Sequence, residues 1–321
     1  MLVEPSGEQQ MADIDRSLII DLYKAHGALL FRGFGVDVSD FRNFTQALCP
    51  THVVNEIGGR LPIEPEHNIH TAASGVGAFP LHSELSREPW KPDVAFFGCL
   101  SAPTRGGTTT ICDGIELARA MPEEVRQALM GRRLLYMVAA WPELLQFWLG
   151  DSNPSDERLR NPPPWCPFQF DRSDGIVVRY FSRPVLHRPM FSDELAFANF
   201  LLFARFKLNL RDYPLLDDGK PVPEPWLQAI KAAGDQVAAE VVWQAGDMLM
   251  LDNTRFMHGR TPITDASERR IVTFFGFLDF AVPDPEEPPN ALWRQGNFRP
   301  PVPPHMRTRT LEAQGATGPS H

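Results

Sequence analysis

The alternation of apolar and polar positions predicts short helices near the start of the chain and strands near both ends. Apolar residues recur at helical spacing over residues 14–23, which predicts an amphipathic helix that ends at Gly27. Residues 28–36 are mostly apolar and predict a buried strand, and residues 39–48 predict a second helix with a Ser or Asp cap. Residues 51–79 show no sustained period, so we expect a long loop, which inside a compact domain is often functional.

The rest of the chain mixes strands and helices. Strand-like residues occupy 91–103, 108–114, 246–253 and 269–282, and helical patterns occupy 122–130, 192–210 and part of 223–241. Residues 139–190 are rich in Trp, Phe, Pro and Arg and give no clear pattern. Strands near both ends with helices inserted between them predict a mainly β fold with flanking helices, either a β-sandwich or a jelly roll.

The domain organisation follows from the same pattern. We expect one domain over residues 1–282, with helical and loop insertions at about 115–242. From Pro283 the chain is rich in proline and then in small polar residues. Residues 283–321 are therefore predicted to form a C-terminal extension that is partly disordered.

Composition and charge exclude several classes of function. The 321 residues are 43% hydrophobic and 22% charged, without an apolar run long enough to span a bilayer or a secretory signal, so we expect a cytoplasmic protein without membrane contact. The four cysteines are far apart and indicate neither a thiolate zinc site nor a disulfide framework. A net charge of -9 argues against nucleic acid as a partner, and an anionic ligand would need a local cationic anchor.

The segment PLHSE contains the first candidate chemistry. His82 and Glu84 are two residues apart, so on an extended strand they would share a face and could converge on one ion. His258, after the apolar run 246–253, is the candidate third ligand. Two histidines and one carboxylate form the facial triad of non-haem iron(II) oxygenases. By itself H-x-E is a weak signal, and an ordinary surface pair is the alternative.

A second group of residues could anchor an anionic cosubstrate. Iron chemistry of this class uses a chelating co-reductant such as 2-oxoglutarate, whose distal carboxylate suits a guanidinium and a hydroxyl. Arg269 and Arg270 follow His258 and, as strand neighbours, face opposite ways, while Thr108–Thr110 offer hydroxyls. Solvated arginines and threonines chosen for β-propensity are the alternative interpretation.

These residues resemble the motifs of a known family. The chain resembles the taurine dioxygenase family of Fe(II)/2-oxoglutarate-dependent oxygenases, especially members with H-x-E such as clavaminate synthase and the syringomycin-pathway hydroxylases. The resemblance covers residues 25–282. Its order and spacing are more specific than any single motif, and the motifs lie at residues 27–34, 80–84, 106–109, 243–253, 258–262 and 269–276.

The resemblance implies a fold and a set of cofactor ligands. The fold would be a distorted double-stranded β-helix, a jelly roll, with flanking helices. His82, Glu84 and His258 correspond to the iron ligands. Thr109 corresponds to the hydroxyl partner of 2-oxoglutarate.

The guanidinium partner implied by the resemblance is Arg270, with Arg269 as the alternative if the loop length differs by one. Phe274 stands where the taurine enzyme has its second arginine, which argues against an alkylsulfonate substrate.

The implied activity is a dioxygenase reaction that consumes O2 and 2-oxoglutarate and releases succinate and CO2. We expect hydroxylation of an unactivated C–H bond, with desaturation, epoxidation and cyclisation as alternatives. The expected substrate is an amino acid or an amino-acid-derived natural-product intermediate, free or tethered to a carrier protein. A zinc hydrolase, which would not need the Thr and Arg anchor, and a noncatalytic ligand-binding barrel are more remote alternatives.

Candidate substrate contacts come from the predicted lid and from the unpatterned middle of the chain. His70 and Phe79 lie in the loop before the metal motif, and Arg179 and Phe181 lie in the alternating run VVRYF. Arg179 could meet a substrate carboxylate. For the aromatic residues ordinary core packing is the alternative, and for Arg179 an ion pair at the core rim.

Overall fold

The computed structural model describes residues 1–7, 10–54 and 59–303. In that part of the chain the helices are α1 (Arg16–His26), α2 (Val38–Leu48), α3 (Gly114–Ala120), α4 (Glu123–Leu129), α5 (Pro142–Leu149), α6 (Asp156–Arg160), α7 (Leu201–Phe206), α8 (Glu224–Val237) and α9 (Leu292–Gln295). None of these helices has the length and apolar character needed to cross a membrane.

The strands of the same residues form three sheets. They are β1 (Leu2–Val3), β2 (Ala28–Phe31), β3 (Thr51–His52), β4 (Pro62–Glu64), β5 (Ile69–Thr71), β6 (Phe79–His82), β7 (Val94–Ser101), β8 (Thr109–Asp113), β9 (Arg133–Ala139), β10 (Gln169–Ser173), β11 (Ile176–Pro184), β12 (Leu215–Leu216), β13 (Ala239–Val241), β14 (Met248–Asp252), β15 (Phe256–Arg260) and β16 (Arg270–Phe277).

The largest sheet has the order β1-β2-β14-β7-β16-β5-β4, with β3 paired to β16. Its central strands are buried on both faces, and successive side chains alternate between two cores. Phe96 packs with residues of α1 and α2 such as Tyr23 and Phe41, and Phe97 belongs to the core cluster on the other face. The continuous apolar runs of β7 and β14 follow from this double burial.

A smaller sheet, in the order β13-β8-β15-β6, contributes to the core on that other face. Phe256 of β15 and Val241 of β13 belong to the same cluster as Phe97. Gly259 is required between β6 and β8, because an added Cβ would lie 2.5 Å from the carbonyl oxygen of Phe79. Two sheets over a shared core agree with the predicted mainly β architecture.

Most predicted elements are present, with three differences. The long loop predicted for residues 51–79 instead contains the short strands β3, β4 and β5, which pair within the largest sheet. Residues 139–190 contain α5, α6 and the antiparallel pair β10-β11, which joins β9 and β12 in the third sheet. The long helix predicted for residues 192–210 is wrong, since only α7 is helical there. Ala196 instead exchanges two backbone hydrogen bonds with His187, and the amide of Phe197 donates to Gly114. Tertiary pairing therefore overrides a helical pattern.

The start of the predicted C-terminal extension packs against the rest of the molecule. Trp293 is fully buried and Phe298 is 6% exposed, in the same core cluster as Trp90. Arg294 forms a bidentate ion pair with Asp93, with both distances 2.8 Å. Residues 304–321, for which partial disorder was predicted, lie outside the described residues, as do residues 55–58 of the predicted lid.

Candidate metal centre

Three side chains of metal-ligand type converge where β6 pairs with β15. His82 ends β6, and its partner in the antiparallel register is His258. Glu84 follows in a turn rather than on the strand, which corrects the expectation that an extended strand carries both residues. One ligand atom of each residue lies within 4.8 Å of the others. Two imidazoles and a carboxylate this close fit a divalent ion with open coordination positions.

The surroundings of both imidazoles favour the neutral form, which is the form that binds a metal. Nδ1 of His82 lies 2.9 Å from the carbonyl oxygen of Pro80, and a proton donated there leaves Nε2 for a metal. Burial lowers the pKa of His82 and lowers the pKa of His258 well below its usual value. Because a metal binds the unprotonated imidazole, both shifts favour the ligating form.

Asn253, in the connection between β14 and β15, holds the turn that carries Glu84. Its Oδ1 accepts from the backbone N–H of Glu84 at 2.8 Å, and its Nδ2 donates to the carbonyl of Glu84 at 3.0 Å. Nδ2 also donates to the carbonyl of Pro92 at 2.8 Å. Asn253 is 1% exposed, so these bonds form away from water and fix the position of the carboxylate relative to β15.

Arg60 contacts the same carboxylate. Its guanidinium donates to Oε2 of Glu84 at 3.1 Å and to the hydroxyl of Thr273 at 3.0 Å, and it lies 4.8 Å from the ring centroid of Phe275. Three contacts hold Arg60 in place. It can therefore orient Glu84 as a supporting residue beside a metal.

A second polar group lies around Thr109 on β8. The indole Nε1 of Trp243 donates to the Thr109 hydroxyl at 3.0 Å, and Arg269 approaches the same oxygen at 3.4 Å. Nε of Arg269 also donates to the carbonyl of Gly107 at 2.8 Å, and burial lowers the pKa of Arg269 to about 10. At neutral pH the side chain keeps its charge, and the Thr109 proton remains available to an incoming acceptor.

The structure reverses the order of preference between the two arginines. Arg269, with Thr109, lines the same cavity as the three predicted metal ligands. Arg270 is exposed and pairs through its backbone with Ser101 of β7. The exposed position of Arg270 therefore does not fit the prediction that it is the better anchor, and Arg269 is the better placed candidate of the two.

The cavity has a volume of about 1050 Å³ and is lined mainly by apolar side chains. Of the predicted substrate contacts, Phe79 and Arg179 line it. His70 is instead buried on β5, and Phe181 stacks on Tyr136 at 5.2 Å, so neither is part of the wall.

Arg179 already has a carboxylate partner. Its guanidinium donates to both oxygens of Glu88, at 2.9 and 3.0 Å, and lies 4.5 Å from the ring centroid of Phe168. The side chain is 5% exposed. Arg179 therefore forms the ion pair given above as the alternative, rather than an open anchor for a substrate carboxylate.

Four arginines of the cavity wall carried no prediction from the sequence, namely Arg60, Arg87, Arg260 and Arg299. Arg260 was detectable, because it lies two residues after His258 on a strand and so shares its face. It donates to the carbonyls of Ala73, Gly75 and Gly77, which ties the segment before β6 to β15. Arg87 lies in the turn after Glu84, and Arg60 in a loop without a pattern, where no sequence signal pointed to the site.

Comparison with known proteins assigns this geometry to a family. The model of the family described as "Taurine catabolism dioxygenase TauD, TfdA family" matches residues 4–274. Among curated proteins, the dapdiamide synthesis protein DdaC of Enterobacter agglomerans is 23% identical over 303 residues, which cover 85% of this chain and 88% of that protein.

Solved structures show the same fold at low identity. PvcB of Pseudomonas aeruginosa, described as an Fe, alpha-ketoglutarate-dependent oxygenase from an isonitrile synthetic pathway, is 16% identical, with a TM-score of 0.56 and 88% of each chain covered. A taurine dioxygenase from Burkholderia xenovorans is 13% identical, with a TM-score of 0.55 and 89% of each chain covered. The predicted jelly-roll fold with flanking helices is confirmed.

Proposed function

The chain belongs to the taurine catabolism dioxygenase TauD, TfdA family, and from this membership we propose that it hydroxylates an unactivated C–H bond of an amino acid or an amino-acid-derived natural-product intermediate. It is an oxygenase that depends on iron(II) and 2-oxoglutarate. Its substrate is a small molecule, which we propose is free or tethered to a carrier protein. The relation to DdaC and the likeness to PvcB, both from biosynthetic pathways, support this substrate class.

One observation carries the assignment of residues. His82, Glu84 and His258 line the same cavity as Thr109 and Arg269, so the proposed metal site and anion anchor share one cavity. A zinc hydrolase has no need for the second group. We propose that the first three hold iron and that the latter two bind the distal carboxylate of 2-oxoglutarate.

The remaining residues position and shield these groups. When bound, iron(II) and 2-oxoglutarate would supply the electrons that activate O2 as the oxidant, with succinate and CO2 as coproducts. Asn253 fixes the backbone of Glu84, and Arg60 donates to its carboxylate. Phe97 and Phe203 lie with their ring centroids 4.9 and 4.6 Å from those of His258 and His82, so apolar surface borders the site and limits water.

The cofactor assignment is tested without a substrate. Apoprotein is titrated anaerobically with iron(II), 2-oxoglutarate is added, and the visible metal-to-ligand charge-transfer band of the chelate is recorded. We expect the band in the wild type and its loss in Glu84→Ala and His258→Ala. His67→Ala is the matched control, because His67 lies outside the cavity and bonds to Gln46.

Absence of the band in the wild type, or its retention in Glu84→Ala, would contradict the assignment. If metal binds but no band appears, the protein is a zinc hydrolase or a noncatalytic barrel. If Glu84→Ala keeps the band and most of its activity, Glu84 is not a ligand. The mass of the product then separates hydroxylation or epoxidation, which add oxygen, from desaturation and cyclisation, which remove hydrogen.

A further inference from the structure

The cationic side chains of the cavity wall differ in whether they have a hydrogen-bond partner within the described residues. Arg60 donates to Glu84, Arg179 to Glu88, and Lys207 to the carbonyl of Ala78. The side chains of Arg60 and Arg179 are largely buried and need such partners, because an uncompensated charge is costly away from water, whereas Lys207 is exposed. These side chains are therefore already engaged.

Arg87 is the exception. Within residues 1–7, 10–54 and 59–303 its guanidinium has neither a hydrogen bond nor an ion pair, although it is half-buried in the cavity wall. Its guanidinium carbon lies 4.8 Å from the ring centroid of Phe200. The adjacent carboxylate of Glu88 is taken by both nitrogens of Arg179. Arg87 thus presents an uncompensated charge to the cavity.

Aromatic rings connect Arg87 to the metal site. The Phe200 ring lies 5.2 Å from that of Phe203, and the Phe203 ring lies 4.6 Å from that of His82. The cosubstrate anchor Arg269 lies on the loop before β16 and bonds to Gly107 and Thr109. A group bound to Arg87 would therefore share the cavity with the metal without competing for the cosubstrate anchor.

A second donor lines the same cavity. The hydroxyl of Tyr213 has no hydrogen-bond partner within the described part of the chain. Burial raises the pKa of Tyr213, and the charged groups that act on the hydroxyl are Glu88, Arg87 and Arg179. The hydroxyl therefore remains protonated at neutral pH and able to donate.

We infer that the substrate is a carboxylic acid whose carboxylate binds to Arg87, with the Tyr213 hydroxyl as the second donor. This inference rests on the proposed function and adds the group by which the substrate is recognised. A planar guanidinium fork matches a carboxylate, and one cation beside a neutral hydroxyl balances one negative charge. A phosphate dianion would need a second cation, and the cations named above are already engaged.

The test measures binding, not turnover. The protein is loaded with Mn(II) and N-oxalylglycine in place of iron and 2-oxoglutarate. The probes are the proteinogenic L-amino acids, their N-acetyl derivatives and the primary amides of both sets. Thermal shift selects the probes that bind, and calorimetry gives their affinities for the wild type, Arg87→Gln, Arg87→Lys and the control Arg270→Gln, whose side chain lies outside the cavity.

We expect at least one acid to bind the wild type about tenfold more tightly than its amide. Arg87→Gln should remove that preference and leave the affinity for the amide within about twofold, Arg87→Lys should keep part of it, and Arg270→Gln should change neither affinity. Equal binding of acids and amides, or no binding of any acid, by the wild type overturns the inference, and this comparison does not depend on the folding of a variant. Equal losses for acid and amide in Arg87→Gln overturn it as well.

The charge-transfer band separates this inference from the proposed function. If the band forms but acids are not preferred, the inference about Arg87 fails and the oxygenase assignment stands. If the band does not form, the cofactor assignment itself fails.

Discussion

At the scale of single residues, Arg269 and Arg270 differ in their position relative to the cavity, and on the proposed function only Arg269 can contact 2-oxoglutarate. Arg269 bonds to the carbonyl of Gly107 and approaches the Thr109 hydroxyl. Arg270 begins β16 and is exposed. A charged hydrogen bond to a bound carboxylate is available to the first side chain, whereas the second interacts with solvent.

We therefore predict different effects for the two alanine variants. Arg269→Ala should raise the 2-oxoglutarate concentration that gives half of the charge-transfer band by roughly 10- to 100-fold, the loss expected for a charged hydrogen bond. Arg270→Ala, the matched control, should change it by less than about twofold. Anaerobic titration of both variants measures the effect, and a larger change in Arg270→Ala would restore the original preference.

The sequence predicts that Arg269 and Arg270 face opposite ways, but not which of the two faces the cavity. Alternation along a strand places neighbouring side chains on opposite faces, without saying which face is inward. The pairing of β16 with β7 has a register irregularity between Arg270 and Ile271, which a pattern of residue types does not show. His82, Glu84 and His258 were accessible because their residue types and order carry the signal, whereas the loop residue Arg60 carries none.

At the scale of elements, the connection between β14 and β15 holds the turn that contains the proposed metal ligand Glu84. Asn253 is held between the backbone of Glu84 and the carbonyl of Pro92. The turn after β6 has its own strain, since Leu85 has a φ of 50°. Because the turn contains Glu84, anything that loosens Asn253 also displaces the carboxylate.

Asn253→Ala should consequently affect both stability and metal affinity. Loss of the amide leaves buried backbone groups unpaired, so we expect the free energy of unfolding to fall by about 2–4 kcal/mol. Iron(II) affinity, measured by anaerobic titration at a temperature where the variant is folded, should fall by roughly tenfold or more. Asn153→Ala, at an exposed position, is the control, and unchanged metal affinity in Asn253→Ala would remove Asn253 from the support of the site.

Elements that follow a local repeat of apolar residues were predicted more reliably than elements that depend on backbone pairing with distant parts of the chain. The helices α1, α2 and α8 and the strands β7, β8, β14 and β16 follow their apolar patterns. Residues 192–200 have a helical composition, but the backbone of Ala196 bonds to His187 and that of Phe197 to Gly114. Such pairings depend on the assembled fold, so single-sequence periodicity does not reveal them.

At the scale of the whole molecule, charge is distributed unevenly. The chain has a formal net charge of -9, yet its main cavity is lined by more cations than carboxylates. The carboxylates of the wall are Glu84 and Glu88, and the cations are Arg60, Arg87, Arg179, Lys207, Arg260, Arg269 and Arg299. A cavity of this sign concentrates anions, which agrees with the proposed binding of 2-oxoglutarate and of a carboxylic acid substrate.

The C-terminal segment completes this cavity from outside the region matched by the family model. The match ends at residue 274, whereas Arg299, Pro300 and Pro301 line the cavity. Phe298 anchors the segment, since its ring lies 5.3 Å from that of Trp90 and its amide donates to the carbonyl of His52. This wall is therefore a feature of the chain that the family match does not cover.

Phe298→Ala should lower the stability of the core and also displace the C-terminal wall of the cavity. Removing a buried phenylalanine costs about 3–4 kcal/mol in the free energy of unfolding, because it leaves a cavity among Trp90, Trp148 and Trp293. Displacement of Arg299–Pro301 should also weaken binding of the preferred acid probe. The charge-transfer band should persist, because the proposed metal ligands and Arg269 lie on other elements.

Chemical denaturation and calorimetry on Phe298→Ala measure these effects, with Ile176→Ala, 57% exposed, as the control. A loss of stability below about 1 kcal/mol would show that the segment is not part of the core. Full loss of stability with unchanged probe affinity would instead show that the wall supports the fold without contacting the substrate. Loss of both, with the band retained, would assign substrate selection partly to a segment that the family match does not include.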